Sequence, residues 1–134
     1  MIYSEAREAL LQHFVQHWAD TTPYALENEP YDPPAGPWVR FSSRMIDFAQ
    51  SSMGGEGNRK FMRQGMCSVQ IFTAKNEGTA TLNAFVDLAI GMFEGKRIAN
   101  GAIWITSAKP KEGLPDKTHI STVVEIMFNF EEVK

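Results

Sequence analysis

The sequence predicts an α+β fold, a two-layer sandwich in which two helices pack on one face of a mostly antiparallel sheet of about four strands. Two stretches carry apolar residues at helical spacing, and four shorter stretches alternate between apolar and polar residues. Their order is helix, hairpin, helix, hairpin, and hairpins favour antiparallel pairing. At 134 residues we expect one domain covering 1–134.

Composition and charge argue against several classes of protein. The net charge is −3 and the basic residues do not cluster along the chain, which argues against a protein held on nucleic acid by charge. A single cysteine, Cys67, excludes an internal disulfide framework and fits a reducing compartment. The first residues lack a signal-peptide pattern, and no apolar run approaches the length of a membrane span. We therefore expect no membrane partner.

Two helices are predicted, over residues 4–20 and 79–94. Ser4 is positioned to cap the first helix, and Gly95 to end the second. The apolar face of the first helix comprises Ala6, Leu10, Leu11, Phe14, Val15 and Trp18. The apolar stripe of the second comprises Leu82, Phe85, Val86, Ala89 and Phe93, with Leu88 and Met92 beside it.

A proline-rich connector is predicted over residues 22–37. It holds five of the seven prolines, which exclude helix and favour extended geometry. Three aromatic residues, Tyr24, Tyr31 and Trp38, can pin this connector against the surface of the domain.

Two hairpins are predicted. The first covers residues 38–73, with strands 38–48 and 60–73 and a mobile glycine-rich tip at 50–58 that projects from the body. The apolar pattern slips after Met45, so that Ile46 and Phe48 fall on the polar face, which predicts a bulge near residues 43–47. The second hairpin covers residues 102–131, with a short strand at 102–107, a polar connection at 108–117 and a long strand at 119–131.

Two residue types invite a chemical interpretation. His13 and His17 have the i, i+4 spacing of a metal-binding pair, but no third ligand is indicated, so we expect two exposed histidines. Cys67 lies in mid-strand on the apolar face, which favours a buried structural thiol over a nucleophile.

Two loops contain glycines or lysines, as phosphate-binding loops and basic patches do, but lack the sequence pattern of either. The glycines at 51–58 join two strands and lack the ending of a phosphate-binding loop, so they indicate only a hairpin tip. Lys109, Lys111 and Lys117 are diluted by Glu112 and Asp116, which favours a solvated loop. We find no catalytic constellation and expect no enzyme activity, cofactor or metal.

The connector and the elements after it resemble a phage family. The first feature is an acidic stretch with an Asn, an aromatic and a Pro-Pro pair: Glu27-Asn28-Glu29-Pro30-Tyr31-Asp32-Pro33-Pro34. It leads into the first strand through Gly36-Pro37-Trp38-Val39-Arg40. The next features in the chain are a glycine-containing tip, then Arg59 and Gly65, and a strand at 67–72. They are followed by a helix from Gly78 to Phe93 and a closing aromatic strand at 120–130. This order resembles the tail-terminator-like and tail-completion proteins of long-tailed phages and prophages. The sequence departs from the family at Asn76-Glu77, where a small or proline-rich turn is usual.

The resemblance implies a structural virion protein rather than an enzyme. Such proteins form rings, typically of six subunits, that cap the tail tube, end its polymerisation and provide the surface for head-tail joining. The implied partners are other copies of the chain, the tail tube protein and a head-completion or neck protein, while DNA passes through without specific binding. The implied location is the head-proximal end of the tail, after synthesis in the host cytoplasm. Candidate subunit or tube contacts are Met53, Gly54, Gly55, Glu56, Arg59, Phe61 and Met62.

Two alternatives stay open. A neck or head-completion connector would bind DNA-filled heads rather than isolated tubes. A small-ligand-binding or enzymatic α+β domain would need a convergent polar cluster inside a cavity.

Overall fold

A computed structural model describes residues 1–113, 115 and 118–134. Within these residues two helices lie against one face of a single six-stranded sheet. In chain order the elements are α1 (Tyr3–Trp18), β1 (Tyr24–Ala25), β2 (Trp38–Gln50), β3 (Lys60–Ala74), α2 (Ala80–Phe93), β4 (Arg97–Ile98), β5 (Ile103–Glu112) and β6 (His119–Val133).

The predicted sandwich with a four-stranded, mostly antiparallel sheet is wrong. The described strands follow the order β1-β2-β3-β6-β5-β4, and the sheet is mixed because β1 runs parallel to β2. It curls into a half-barrel instead of forming a flat layer. The two additional strands, β1 and β4, have two residues each, which is too short for an alternating pattern to show in the sequence.

Two bulges explain much of the curl. The β2–β3 register shifts between Met45 and Asp47, and the β5–β6 register shifts between Ile105 and Ser107. A bulge puts two residues opposite one, bends its strand and increases the local twist. The bulge predicted near residues 43–47 is therefore confirmed, and the second bulge was not predicted.

The first helix agrees with its prediction except at its ends, since it begins at Tyr3 and ends at Trp18 rather than at residue 20. Ala6, Leu10, Phe14 and Trp18 are fully buried, as the apolar face requires. The predicted Ser4 cap is wrong, because Ile2 precedes the helix and donates its backbone N–H to the Glu5 carboxylate over 3.0 Å.

The second helix faces the core along a slightly different line from the predicted stripe. Phe93 and Met92 are buried, whereas Phe85 is half-buried with its ring 6.0 Å from that of Trp18. Leu88 is exposed. The helix therefore turns Phe93, rather than Phe85, toward the centre of the core.

The strand β5 is longer than predicted, so the polar connection expected at 108–117 is wrong over residues 108–112. Pro110 fits inside this strand because β4 pairs only with Ile103 and Trp104, which leaves the rest of β5 at the edge of the sheet. Lys117, one of the three lysines assigned to a solvated loop, lies outside the described residues.

The central ladder is longer than the helices that cover it. The strands β3 and β6 pair over 15 residues each, or about 50 Å at roughly 3.3 Å per residue. Helix α1, with 16 residues, is about 24 Å long. The ladder thus runs past the helical layer toward the loop between β2 and β3. We call this part the hairpin end, defined as residues 45–65 and 128–133.

Gly65 of β3 lies close to atoms of both neighbouring strands, β2 and β6. A Cβ atom at this position would lie 2.8 Å from the Arg44 carbonyl oxygen and would also overlap the Phe128 ring. The Gly65→Ala variant should therefore lose about 1–3 kcal/mol of unfolding free energy, because backbone cannot move aside cheaply.

Gly91 provides the matched control in urea-unfolding measurements. It lies in α2, and a Cβ atom added there would meet nothing within 4 Å, so Gly91→Ala should gain about 0.5–1 kcal/mol from helix propensity. Equal stabilities of Gly65→Ala and the unmodified protein would contradict the close approach.

The two phenylalanines of α2 should differ in their contribution to stability. Phe93 is fully buried, so Phe93→Ala should cost about 3–5 kcal/mol, the usual range for a core phenylalanine. Phe85→Ala should cost less than half as much, because the side chain keeps solvent contact. Equal losses on chemical denaturation would show that the orientation of α2 is wrong.

Candidate interaction surfaces

The hairpin end and the start of α1 together expose a cluster of large apolar side chains. Among the described residues, seven large hydrophobic side chains are exposed, and six of them belong to these two segments: Ile2, Tyr3, Ile46, Phe48, Met53 and Val133. The Tyr3 and Phe48 rings meet edge to face at 6.4 Å. A groove of about 480 Å³ lies beside them, lined by Tyr3, Met45 and Phe48. Contiguous exposed apolar surface of this kind marks a contact surface in many proteins.

A buried arginine supports this cluster from below. The Arg63 guanidinium lies 4.2 Å from the centre of the Phe48 ring and 5.1 Å from that of Phe61. Its Nη2 and Nε donate to Glu132 Oε2 over 3.0 and 3.3 Å. Arg63 is only 5% exposed. A planar, ion-paired guanidinium between two rings holds Phe48 in place where no helix covers the sheet.

The predicted contact residues fall into two groups. Met53, Gly54, Gly55 and Glu56 are exposed in the tip, and Met53 is 97% exposed. Arg59, Phe61 and Met62 are half-buried at the base of the tip, with Phe61 beneath the Arg63 guanidinium.

The neck of the tip is hydrogen-bonded rather than loose. The Ser51 backbone N–H donates to the Lys60 carbonyl over 2.8 Å, and the Lys60 N–H donates to Ser52 Oγ over 2.8 Å. This supports the interpretation of the glycine-rich segment as a hairpin tip joining two strands.

Sequence reasoning missed the residues that form most of the exposed apolar cluster. Tyr3, Ile46 and Phe48 were not among the candidate contacts. The sequence offered one signal for these residues, the slip of the apolar pattern after Met45. A bulge at this point shifts the register of β2, and with it the face of the sheet on which the following apolar side chains lie.

The connector forms a second distinctive surface beside α1. The Glu27 carboxylate accepts a hydrogen bond from Arg7 Nη2 over 2.9 Å and another from the Ser43 backbone N–H. Pro23 O accepts the Val39 N–H over 3.1 Å. Connector atoms therefore satisfy two donors along the outer edge of β2, which protects that edge from pairing with another strand.

A groove of about 340 Å³ opens between α1 and the connector. Three carboxylates, Glu8, Glu27 and Glu29, line it together with a single cation, Arg7. Since Glu27 is paired with Arg7, the carboxylates of Glu8 and Glu29 give the groove its acidic character.

Aromatic contacts fix the connector near both of its ends, as predicted. Tyr31 stacks on Trp38 at 5.1 Å, Trp38 stacks on Phe72 at 4.2 Å, and Tyr24 meets Phe14 edge to face at 5.6 Å. The connector thus bridges the helical side and the open side of the sheet.

The residues with potential chemistry have structural roles. The prediction that His13 is exposed is wrong, because its side chain is half-buried. Its Nε2 donates to the Met92 carbonyl over 2.6 Å, and burial lowers its pKa. His17 Nδ1 donates to the His13 carbonyl over 2.8 Å. Cys67 is fully buried, as predicted, and burial raises the pKa of its thiol well above the usual range.

Two further kinds of feature are absent from the described ranges. In residues 1–113, 115 and 118–134, no three His, Cys, Asp or Glu side chains are grouped as metal ligands would be. Neither α1 nor α2, the helices of the described part, is long and apolar enough to cross a membrane.

Comparison with known proteins shows a shared fold. One similar solved structure superposes with a TM-score of 0.74 at 14% sequence identity. The match covers 100% of this chain and 99% of that one. No protein-family model matches the sequence, and no curated protein matches it. At this level of identity the likeness extends to the fold alone.

The Arg63–Glu132 pair should respond asymmetrically to mutation. Glu132→Ala leaves a buried guanidinium without its counter-charge and should cost about 3 kcal/mol or more of unfolding free energy. Arg63→Met keeps an unbranched side chain between the two rings and should cost less, about 1–2 kcal/mol, because the Glu132 carboxylate left behind is 16% exposed and keeps Lys134 Nζ at 3.8 Å. Chemical denaturation of both variants measures this; a larger loss for Arg63→Met would contradict it.

Proposed function

We propose that this chain is a structural protein of a phage or prophage virion, a ring-forming tail terminator. It caps the tail tube, ends tube polymerisation and offers the surface on which the head is joined. The observation that supports this role best is the hairpin end, where the sheet continues past the helices and exposes Phe48 beside Tyr3, with Ile46 also exposed on the same strand.

The construction of the hairpin end suits docking onto a preformed assembly. Phe48 is half exposed, yet the Arg63 guanidinium beneath its ring restricts where the ring can lie. A contact side chain held in position loses little conformational entropy on binding. The adjoining tip, with three glycines between residues 54 and 57, can adjust its shape to the docked partner.

We assign the tail tube as the partner of the hairpin end. The contact would combine the apolar surface around Phe48 with the exposed Met53 of the tip, whose flexible side chain adapts to irregular surfaces. Other copies of the chain complete the ring, and a head-completion or neck protein binds its opposite side. The net charge of −3 suits a ring through which DNA passes without adhering.

Absolute mass in solution, measured by light scattering over a range of concentrations, tests ring formation. We expect a closed oligomer near six subunits, which electron microscopy should show as rings. A protein that is monomeric at every concentration, both alone and with purified tail tubes from its own phage, would contradict the proposal.

Binding to tail tubes tests the assignment of the hairpin end. Phe48→Asp puts a charge into the apolar surface and should abolish co-sedimentation with tubes. Deletion of residues 52–57 should do the same and leave the melting temperature nearly unchanged, because the tip contributes no core. The matched control is Leu88→Asp, an exposed apolar residue of α2, which should bind like the unmodified protein. Equal loss of binding in the Leu88 variant would contradict the assignment.

A further inference from the structure

Charge is unevenly distributed along this chain. Residues 1–37 hold six acidic side chains and one basic one, a net −5, whereas residues 38–134 carry a net +2. The acidic segment forms α1 and the connector, and its residues Glu8, Glu27 and Glu29 line the groove on the helical side of the sheet, whereas Tyr31 near the connector's end stacks on Trp38 of the opposite face. The fold thus converts a difference along the sequence into a difference between two sides of the molecule.

The opposite face of the sheet is basic along its margins. Side chains alternate between the two faces of a strand, and Val39, Phe41 and Val69 face the helices. Arg40 and Arg44 on β2 therefore point to the other side, which we call the open face. Register across the ladder places Lys109 opposite Glu125 and Lys111 opposite Val123 on that same face.

The rows of cross-strand partners define the open face more fully. One row contains Arg40, Gln70, Val123 and Lys111; the next contains Ser42, Ser68, Glu125 and Lys109; a third contains Arg44, Met66, Met127 and Ser107. Within these three rows four cations flank a centre of mostly uncharged side chains and a single carboxylate, Glu125, whose Oε1 lies 3.9 Å from Lys111 Nζ. Scattered surface charges usually contribute only solubility, but these four share one sheet face.

Direct strand addition at the β5 margin is disfavoured. Lys109, Pro110 and Lys111 follow one another where β5 pairs with β6 on one side and has an unpaired outer edge on the other, and lysine and proline are residues that block edge-to-edge pairing. A partner therefore meets this region through the side chains of the open face rather than through backbone hydrogen bonds.

The complementary surface is present on the same chain. The groove between α1 and the connector presents Glu8 and Glu29, and both side chains are exposed. The groove lies on the helical side, whereas Arg40 and Arg44 lie on the open face. Two complementary patches on opposite sides of one molecule permit a head-to-tail contact, and repetition of that contact closes a ring when the rotation allows it.

We propose that the basic open face of one subunit binds the acidic α1–connector surface of the next copy of the chain. This inference rests on the proposed ring and identifies the contact that builds it. Arg40, Arg44, Lys109 and Lys111 of one copy oppose Glu8 and Glu29 of its neighbour. The contact is electrostatic at its margins, so ring formation should weaken as salt concentration rises.

Charge reversal with complementation tests this contact. Arg40→Glu/Arg44→Glu alone and Glu8→Lys/Glu29→Lys alone should each reduce the light-scattering mass at low salt from that of the oligomer to that of one subunit. An equimolar mixture should restore the oligomer, because each reversed surface then finds a partner of opposite charge on the other variant. Combining all four substitutions in one chain should restore it too.

Controls separate loss of contact from loss of folding. Asp87→Lys/Glu94→Lys reverses an exposed carboxylate of α2 and the one that directly follows this helix, and Lys96→Glu reverses an exposed cation beyond α2. Both should keep the oligomeric mass. Melting temperatures of all variants should stay near that of the unmodified protein.

Each contrary outcome has a distinct meaning. If the unmodified chain forms a closed oligomer and both reversed variants keep it, or if the mixture stays monomeric, the contact is wrong and the ring remains. If the unmodified chain is monomeric at every concentration and salt, both the contact and the proposed function fail. A third outcome is salt-dependent binding of duplex DNA to the open face. If Arg40→Glu/Arg44→Glu abolishes this DNA binding but keeps the oligomer, the open face binds nucleic acid and the proposed contact is wrong.

Discussion

Because the β3–β6 ladder is longer than the helices, one part of the sheet is left without a helix covering it. A pairing of 15 residues spans about 50 Å, about twice the length of α1. The helices bury the part of the sheet face centred on Cys67, Val69 and Ile71. Farther along, the same face must be completed by side chains of the strands themselves, and the Arg63–Glu132 pair between Phe48 and Phe61 does so. An exposed aromatic surface follows from that geometry.

Periodicity predicted the longer elements well. Both helices, the first hairpin, β6 and the bulge after Met45 follow from patterns that span many residues. The two-residue strands β1 and β4 could not be predicted because their pairing depends on where the connector and the α2–β5 segment lie in space. The distal half of β5 looked like a polar loop, since Pro110 and its neighbouring lysines are tolerated only because that edge is unpaired.

The candidate surfaces show the same limit of sequence reasoning. Composition alone placed Met53 and the glycines of the tip at an exposed position, which the structure supports. The participation of Tyr3 depends on the contact between α1 and the far part of β2, which no local pattern reveals. Likewise, Arg40 and Lys111 are 71 positions apart in sequence, and only the register of four strands puts them in one row.

Hydrogen exchange measured by mass spectrometry on the free and tube-bound protein tests most directly whether the hairpin end is a contact surface. The account predicts slower exchange of backbone amides in residues 45–63 on binding, because their outer edge and tip become shielded from solvent. Amides of α2 around Leu88 should exchange at the same rate in both states. Unchanged exchange across the hairpin end, with protection elsewhere in the bound protein, would contradict the account.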